Sequence, residues 1–372
     1  MSVKERFGKV DLVFVHLFDG FSGSPKVLHE SISVSISENI PSCLYLGSGG
    51  QGVLSTEAIL PVKRYWYKRY KSKFATLLSL LLSQIFLFFK LLFDRRLSAD
   101  SIIYVNALLP FGASIFGALS GKKVIYHIHE TSIEPKIFMS FLLWVNKLTS
   151  DLNIFVSDNH LEAFPSSKIP SLRIYNGLGR NILRQAATHQ YQHFVANSFH
   201  VVLLANLRDY KGVPEFLDLA ARFADRKEII FDLVANEEDQ SAYEYLEHFD
   251  ITPNVTLHSR VDDPAKFYKL ASIVVNLSRP DLCVETFGLT ILEAMAFGVP
   301  VIVPPVGGPA ELVQGGVHGY LIDSRHTEEL ENSVSTLLAD KDLCFQMSKA
   351  GRLRAADFSP QRYVENLRKI LR

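Results

Sequence analysis

Short runs of consecutive apolar residues alternate along the chain with longer stretches in which apolar residues recur every three or four positions. The short runs are typical of buried strands and the longer stretches of helices. Their alternation predicts parallel sheets with crossover helices. The predicted strands are 10–18, 42–47, 101–107, 122–129 and 152–157, then 201–207, 228–235, 254–259, 272–278 and 300–305.

The alternation weakens across residues 184–200, which we interpret as a linker. A chain of 372 residues is also too long for one core. The fold class is therefore α/β, with two doubly wound Rossmann-like domains. We predict domains at 1–190 and 191–355, followed by a C-terminal helix within 356–372. Because such sheets bind ligands at the carboxyl ends of their strands, we expect the domains to face each other across a cleft.

The composition of the chain limits which binding partners and which cellular compartment fit the protein. Thirty-nine Lys+Arg balance 39 Asp+Glu, which argues against a nucleic-acid partner. Three scattered cysteines are read as buried thiols in a reducing compartment, and the first 20 residues do not have the pattern of a signal peptide. Residues 1–195 nevertheless carry 21 Lys+Arg against 13 Asp+Glu. That excess fits either an anionic surface or attraction between the two domains.

The basic excess is concentrated before a long apolar run at 76–93. The run has the length of a short membrane span but contains Ser79, Ser83, Gln84 and Lys90. It is either a buried helix of the α/β domain or a monotopic anchor on an anionic membrane surface. In the second case the membrane patch preceding it, which is interleaved with aromatic residues, consists of Lys63, Arg64, Lys68, Arg69, Lys71 and Lys73.

Residues 47–52 satisfy the G-x-G-x-x-G pattern after a predicted strand. A dinucleotide site also requires an acidic residue about 20 positions later, to bind the ribose. No Asp or Glu occurs between Glu57 and Asp94. We therefore interpret this segment as a mobile glycine loop and not as a nicotinamide site.

The most informative stretch is 278–323, in which seven residues separate Glu285 from Glu293. Gly288 and Thr290 mark the point where a loop enters a predicted helix. The amides of its first turn, around Phe287, Gly288 and Leu289, have no acceptor within the helix and form an anion site suited to a diphosphate. The carboxylate of Glu285 would accept sugar hydroxyls, and both oxygens of Glu293 would accept ribose hydroxyls.

This stretch resembles the family 4 retaining glycosyltransferases, which have the GT-B fold. Further similarity lies in 205–216, 255–263, 319–323 and 358–371, and a looser similarity in 21–28, 124–130, 155–160 and 174–177. The resemblance implies that the N-terminal domain binds the acceptor and that the C-terminal domain binds a nucleotide sugar. It also implies that the closing helix returns to the N-terminal domain.

The resemblance assigns roles to individual residues. Lys211 would bind the donor diphosphate. The family's paired arginine falls at Asn206, so the replacement cation would be Arg208. Backbone groups near Arg260 and Val261 would hold the base.

In the N-terminal domain, His129 with Glu130 beside it would contact the donor sugar or line the reaction centre, while His127 is read as a core histidine. Gly23 and Ser24 resemble the loop that lets donor phosphate and acceptor approach. The implied catalytic residues are thus His129, Glu285 and Lys211.

The implied reaction transfers a sugar to an acceptor hydroxyl by front-face displacement with retention, without a metal or other cofactor. The acceptor would be a saccharide or a lipid-linked molecule of cell-surface polysaccharide or glycolipid synthesis. The location would be cytoplasmic, or peripheral on the inner face of the cell membrane. Two alternatives remain open: an epimerase or phosphorylase of the same fold, and a degenerate membrane-associated scaffold.

Overall fold

The computed structural model describes residues 9–56, 59–164, 168–261 and 263–371. The chain forms two compact units. Unit 1 comprises Met1–Val156, Leu161–Tyr175 and Val364–Arg372, and unit 2 comprises Ser157–His160 and Asn176–Tyr363. The predicted domain boundaries at 190 and 355 stay predictions.

Unit 1 is built on a parallel sheet of seven strands in the order β3-β2-β1-β4-β5-β6-β7. The central strands are buried along nearly their whole length, as expected for a sheet covered on both faces. The strands are β1 Val10–His16, β2 Ser42–Gly47, β3 Val62–Tyr65, β4 Leu97–Asn106, β5 Val124–Ile128, β6 Leu152–Phe155 and β7 Ser171–Arg173.

The helices of unit 1 connect these strands, and three of them form one layer in which the second packs against the first and third. The layer consists of α3 Lys73–Leu92, α4 Phe111–Leu119 and α5 Lys136–Thr149. The remaining helices here are α1 Gly23–Ser37 and α2 Val53–Thr56, and α6 Asp158–Ala163 follows β6.

Unit 2 contains a parallel sheet of six strands in the order β10-β9-β8-β11-β12-β13. The strands are β8 Phe199–Ala205, β9 Ile229–Ala235, β10 Val255–His258, β11 Ile273–Val275, β12 Val301–Val303 and β13 Gly319–Leu321. The helices are α7 Arg180–Ala187, α8 Val213–Arg222, α9 Asp239–Leu246, α10 Ala265–Leu270, α11 Leu289–Ala296, α12 Gly308–Leu312, α13 Thr327–Ala339 and α14 Lys341–Ala355. The last helix, α15 Pro360–Leu371, begins in unit 2 and ends in unit 1.

One buried polar cluster crosses three strands of this second sheet. Asp232 accepts hydrogen bonds from His200 Nδ1 at 2.7 Å and from His258 Nε2 at 2.8 Å. Burial alone would raise the pKa of Asp232, but the two imidazoles hold it below its ordinary value. The cluster therefore stabilises the sheet through an ionised carboxylate.

The predicted α/β fold is confirmed, and each of the ten predicted strands is present. Three strands were missed, namely β3, β7 and β13. Each has only three or four residues and lies at or next to a sheet edge, where a strand is buried too little to give a continuous apolar run. The predicted linker was partly wrong, because α7 covers its first residues and buries Ile182 and Ala186.

Candidate functional site

The helix predicted to bind a diphosphate is present as α11. Gly288 precedes it at φ +93°, a conformation that favours glycine. Ile291 and Leu292 donate the first helical hydrogen bonds, both to the Gly288 carbonyl at 3.1 Å. The amides of Leu289 and Thr290 therefore have no acceptor within the helix. The predicted anion site would lie at these two amides.

Phe287 lies outside this first turn. The helix begins one residue after Gly288, so Phe287 precedes the cap, and its buried ring packs against Phe358 with centroids 6.1 Å apart. The interpretation of Phe287 as a first-turn residue was therefore wrong. Its side chain anchors the entry of the helix.

Two adjacent glycines that the sequence analysis did not assign hold the loop before α11. Gly307 has φ +82°, and a Cβ on it would lie 2.5 Å from the Glu285 carbonyl oxygen. The amide of Gly308 donates to that carbonyl at 2.9 Å, and a Cβ there would lie 2.3 Å from Phe287 Cα. Only glycine allows these approaches. The turn after β12 thus fixes the backbone that carries Glu285.

Glu285 and Lys211 form an ion pair through Glu285 Oε2 and Lys211 Nζ. Each side chain is only about a fifth exposed, with 22% for Lys211 and 20% for Glu285. Gly212 makes the approach possible: it has φ +78°, and a Cβ there would lie 2.0 Å from the Leu277 carbonyl oxygen. The structure thus joins two residues that lie far apart in sequence.

Each member of the pair keeps the other one ionised. Burial alone would raise the pKa of Glu285, but the Lys211 ammonium, with hydrogen bonds from Ser278 and Asn276, holds it below its ordinary value. Burial alone would lower the pKa of Lys211, and the Glu285 carboxylate raises it above its ordinary value. Both groups are therefore ionised at neutral pH.

Glu293 lies on α11 and is buried. Its Oε2 accepts a hydrogen bond of 2.6 Å from the hydroxyl of Tyr268, whose pKa burial raises well above its ordinary value. Tyr268 thus takes one of the acceptor positions of Oε2, and the prediction that both carboxylate oxygens serve a ribose stays a prediction. A ribose hydroxyl would have Oε1 as its acceptor.

Arg352 fixes the opposite end of α11. Its guanidinium donates to the carbonyls of Ala296 at 3.1 Å and Phe297 at 2.7 Å, which end α11. It also donates to the carbonyls of Ala186 at 3.1 Å and His189 at 2.8 Å. A single side chain therefore ties α11 to the end of α7.

The other residues predicted to bind the nucleotide sugar lie together at the carboxyl ends of β8, β9 and β10. Asn206 follows β8, and its Oδ1 accepts from Asn236 after β9 at 3.0 Å. The guanidinium of Arg208 is 48% exposed and lies 3.7 Å from Glu237 Oε1. Arg260 donates its backbone amide to the Glu237 carbonyl at 2.8 Å.

Beyond that amide contact, the guanidinium of Arg260 pairs with Glu238 at 2.6 Å. Val261 follows directly and is partly buried. These residues lie beyond the carboxyl ends of the strands, where parallel sheets bind their ligands.

In unit 1, a hydrogen-bonded network surrounds His129. Its Nε2 lies 2.9 Å from Asn106 Oδ1, and Asn106 Nδ2 lies 3.1 Å from Nδ1 of the buried His16. Asn106 Nδ2 also donates to the Ser24 carbonyl at 3.3 Å. Burial holds the pKa of His16 below its ordinary value. Asn106 and His16 were missed because they end β4 and β1, far in sequence from His129, which follows β5.

Neighbours of His129 have structural partners. His127 is fully buried, and its Nδ1 lies 2.8 Å from the Tyr104 hydroxyl, as expected of a core histidine. Glu130 accepts from the amide of Leu108 at 3.2 Å, and burial raises its pKa. Gly23 begins α1, and a Cβ on it would meet no described atom within 4 Å, which leaves open space beside it.

The glycine loop at 47–52 packs against the end of β1, so its interpretation as a mobile loop was wrong. A Cβ on Gly47 would lie 2.0 Å from the Leu17 carbonyl oxygen. The buried carboxylate of Asp19 accepts from the amides of Leu54 at 3.1 Å and Ser55 at 2.9 Å. A carboxylate of the chain thus accepts from the amides at the start of α2.

The predicted membrane patch divides in the structure. Lys63 lies on β3 and pairs with Asp94 at 2.6 Å, so it holds the sheet edge and does not belong to an exposed patch. The other five members are exposed: Arg64, Lys68, Arg69, Lys71 and Lys73. Within the described ranges, α3 alone is long and apolar enough to cross a membrane, and no group of three His, Cys, Asp or Glu side chains is placed to hold a metal ion.

The second half of the chain is similar to a known protein family. Residues 186–354 match the family Glycosyl transferases group 1. An uncharacterized glycosyltransferase of Haemophilus influenzae is 27% identical over 176 residues, 46% of this chain and 48% of that protein. The N-acetyl-alpha-D-glucosaminyl L-malate synthase of Bacillus anthracis is 24% identical over 209 residues, 55% of this chain and 53% of that protein. The chain thus spans about half the length of these curated relatives.

Solved structures resemble the whole chain. Anabaena HepE in complex with UDP-glucose has a TM-score of 0.78 at 20% identity, covering 97% of this chain and 98% of that one. Sucrose-phosphate synthase from Thermosynechococcus elongatus has a TM-score of 0.75 at 18% identity, with 97% and 98% covered. Residues 186–354 are therefore similar to the glycosyl transferases group 1 family, and the chain has the GT-B fold.

Proposed function

We propose that this protein is a glycosyltransferase that moves a sugar from a nucleotide-diphosphate sugar to an acceptor hydroxyl. The observation that carries the proposal is the start of α11, where two backbone amides point out of the helix and the preceding loop holds the Glu285–Lys211 pair. The family match of residues 186–354 supports it. So does the likeness in fold to Anabaena HepE, which was solved with UDP and with UDP-glucose.

The diphosphate is the leaving group and gains negative charge as the glycosidic bond breaks. The amides of Leu289 and Thr290, at the positive end of the α11 dipole, stabilise that charge. Lys211 adds an ammonium whose raised pKa keeps it protonated. Arg208 is the candidate second cation, because Asn206 is neutral. On this basis the reaction proceeds without a metal ion.

The two glutamates select the sugar and the ribose. Glu285 lies in the loop before α11 and accepts hydroxyls of the transferred sugar, while Oε1 of Glu293 accepts a ribose hydroxyl. Backbone groups at Arg260 and Val261 hold the base. In unit 1, His129 is the candidate group for a sugar hydroxyl, and Asn106 holds its ring.

The proposed displacement takes place on one face of the sugar, so the anomeric configuration is retained. The bond between the anomeric carbon and the phosphate oxygen breaks, and a bond from that carbon to the acceptor oxygen forms on the same side. The acceptor proton goes to an oxygen of the departing diphosphate. No pair of carboxylates spaced as in a retaining hydrolase is then required.

We also propose that the acceptor is a saccharide or a lipid-linked molecule of cell-surface polysaccharide or glycolipid synthesis. The enzyme would act in the cytoplasm, at the inner face of the cell membrane. The exposed basic residues Lys68, Arg69, Lys71 and Lys73 support this location, since they suit an anionic membrane surface.

A thermal-shift screen with a panel of nucleotide sugars tests the proposal. One of them should raise the unfolding temperature of the wild type, and Glu285→Ala should lower that shift. Glu329→Ala changes an exposed glutamate on α13 and should leave the shift unchanged. Absence of any shift in the wild type would favour the scaffold alternative.

Product analysis separates the remaining alternatives. An epimerase converts the donor alone, whereas a transferase requires an acceptor. Phosphate-dependent release of a sugar phosphate would identify a phosphorylase. Proton NMR of the fresh product measures the anomeric configuration, and an inverted product would contradict the front-face displacement.

A further inference from the structure

The outer face of α3 exposes a continuous apolar stripe. Its large side chains recur every three or four positions along about 27 Å of helix, and Phe74 is 77% exposed. Only 33% of the most apolar 18-residue window of this helix is buried. The stripe includes Phe74, Leu78, Ile85, Phe86, Phe89 and Leu92.

Three polar residues in the middle of α3 face the protein, which is the reverse of an ordinary surface helix. Ser79, Ser83 and Gln84 are all buried. Ser79 Oγ accepts from the amide of Lys68 at 3.1 Å, and Gln84 Oε1 accepts from the amide of Gly112 at 3.1 Å. One face of α3 is thus bonded to unit 1 along its middle. The helix therefore cannot cross a bilayer as a lipid-surrounded span.

The same layer of helices continues the apolar surface on α5. Ile137, Trp144 and Leu148 are 80%, 58% and 61% exposed. They are spaced by seven and four positions, so they lie on one side of the helix. The helix α4 packs against both α3 and α5. The exposed surface is therefore broader than a single helix.

Basic and aromatic residues adjoin this apolar surface. Lys68, Arg69 and Lys71 are exposed just before α3, and no Asp or Glu occurs between Glu57 and Asp94. Exposed Trp66 packs edge-to-face on Phe86 at 5.8 Å. Indole rings next to an apolar surface are typical of a membrane interface. A second copy of the chain would instead bring two basic clusters together and be repelled.

We propose that the outer faces of α3 and α5, here called the apolar ridge, lie in the surface of an anionic lipid bilayer. The apolar side chains enter the boundary between headgroups and acyl chains, while the basic residues contact the headgroups. The helices lie along the membrane and do not span it. This inference deepens the membrane location in the proposed function by naming the surface and its orientation.

Vesicle flotation of the full chain tests the ridge. Wild type should float with vesicles containing anionic phospholipid and less with purely zwitterionic vesicles. The double variant Ile85→Glu with Trp144→Glu should lose at least about tenfold in partition coefficient on both, because two apolar anchors are removed. Leu353→Glu, which changes a 75% exposed residue of unit 2, should float as the wild type does.

Neutralising the basic residues beside the apolar ridge should change vesicle flotation in a different way. Replacing Lys68, Arg69 and Lys71 by Gln should weaken flotation on anionic vesicles and reduce its salt dependence, with little change on zwitterionic vesicles. Nucleotide-sugar thermal shifts, measured on every variant, report folding and the donor site separately. A failure of the proposed function would remove the wild-type shift without affecting flotation.

Three results would contradict the proposal that the apolar ridge lies in a membrane surface. The wild type would stay with the unbound fraction on both vesicle types, or the double-glutamate variant would float as well as the wild type. Alternatively, sedimentation would show that the double variant converts a dimer into a monomer while the wild type fails to float. The last result would assign the surface to a second copy of the chain.

Discussion

Breaking the Glu285–Lys211 pair is the most informative perturbation of the site. Removing one member of a fully buried pair costs about 3–5 kcal/mol, because the other charge is left without compensation. Each member here is about a fifth exposed. Solvent screening reduces the expected loss to roughly 2 kcal/mol of unfolding free energy. For a unit of this size, that lowers the unfolding temperature by roughly 4–8 °C.

Three variants separate the stability that comes from the ion pair from the stability that each residue contributes alone. They are Lys211→Met, Glu285→Gln and the double variant. We expect each single change to be destabilising and the double change to cost clearly less than the sum, because it leaves no unpaired charge. Thermal unfolding of all three against the wild type gives the coupling energy. Strictly additive losses would show that the pair does not stabilise the loop.

Binding of nucleoside diphosphate distinguishes the roles of the two residues. Lys211→Met should weaken binding by about tenfold or more, since it removes a charge-assisted hydrogen bond to phosphate. Glu285→Gln removes a negative charge near the phosphates and should leave this affinity equal or higher, while sugar transfer falls. Calorimetric titration with the nucleoside diphosphate that stabilises the wild type measures this. Equal weakening by both changes would refute the assignment.

Three further changes test the supports of the site and of the sheet. Arg352→Lys should lower the free energy of unfolding by about 2 kcal/mol, because a lysine cannot reproduce the guanidinium contacts with four carbonyls. Thermal unfolding measures this loss, and an unchanged midpoint would contradict the prediction. Asp232 has a lowered pKa in the folded state, so its stabilisation is present above the unfolded value of about 3.9 and is lost as the pH falls below it. Asp232→Asn should therefore flatten the loss of stability as the pH falls below about 4, and parallel acid limbs would contradict this. Asn106→Ala should lower the kcat of transfer by about tenfold to a hundredfold through a misplaced His129, with the nucleotide thermal shift retained; a normal kcat would remove Asn106 from the positioning network.

Local patterns were sufficient to predict the longer strands of both sheets and the start of α11. Apolar runs are properties of consecutive residues, and the strands they predicted are present. The first-turn amides of α11 follow from the place where the helix begins, which Gly288 marks in the sequence. The short edge strand β3 was hidden because Lys63 and Arg64 interrupt its apolar pattern.

Contacts between distant segments were not predictable from one sequence. Nothing near Gly212 indicates that it packs on the Leu277 backbone, and this approach pairs Lys211 with Glu285. The doubled glycine at 307–308 was visible, but the loop it holds was not. The buried role of Tyr268 likewise depends on how α10 packs against α11.

A crystal structure of the protein soaked with a stabilising nucleotide-diphosphate sugar tests the central claim most directly. We predict that the diphosphate accepts hydrogen bonds from the amides of Leu289 and Thr290 and from Lys211 Nζ, with the ribose on Glu293. A donor bound at another place in the chain, or a diphosphate that contacts neither the start of α11 nor Lys211, would contradict the account.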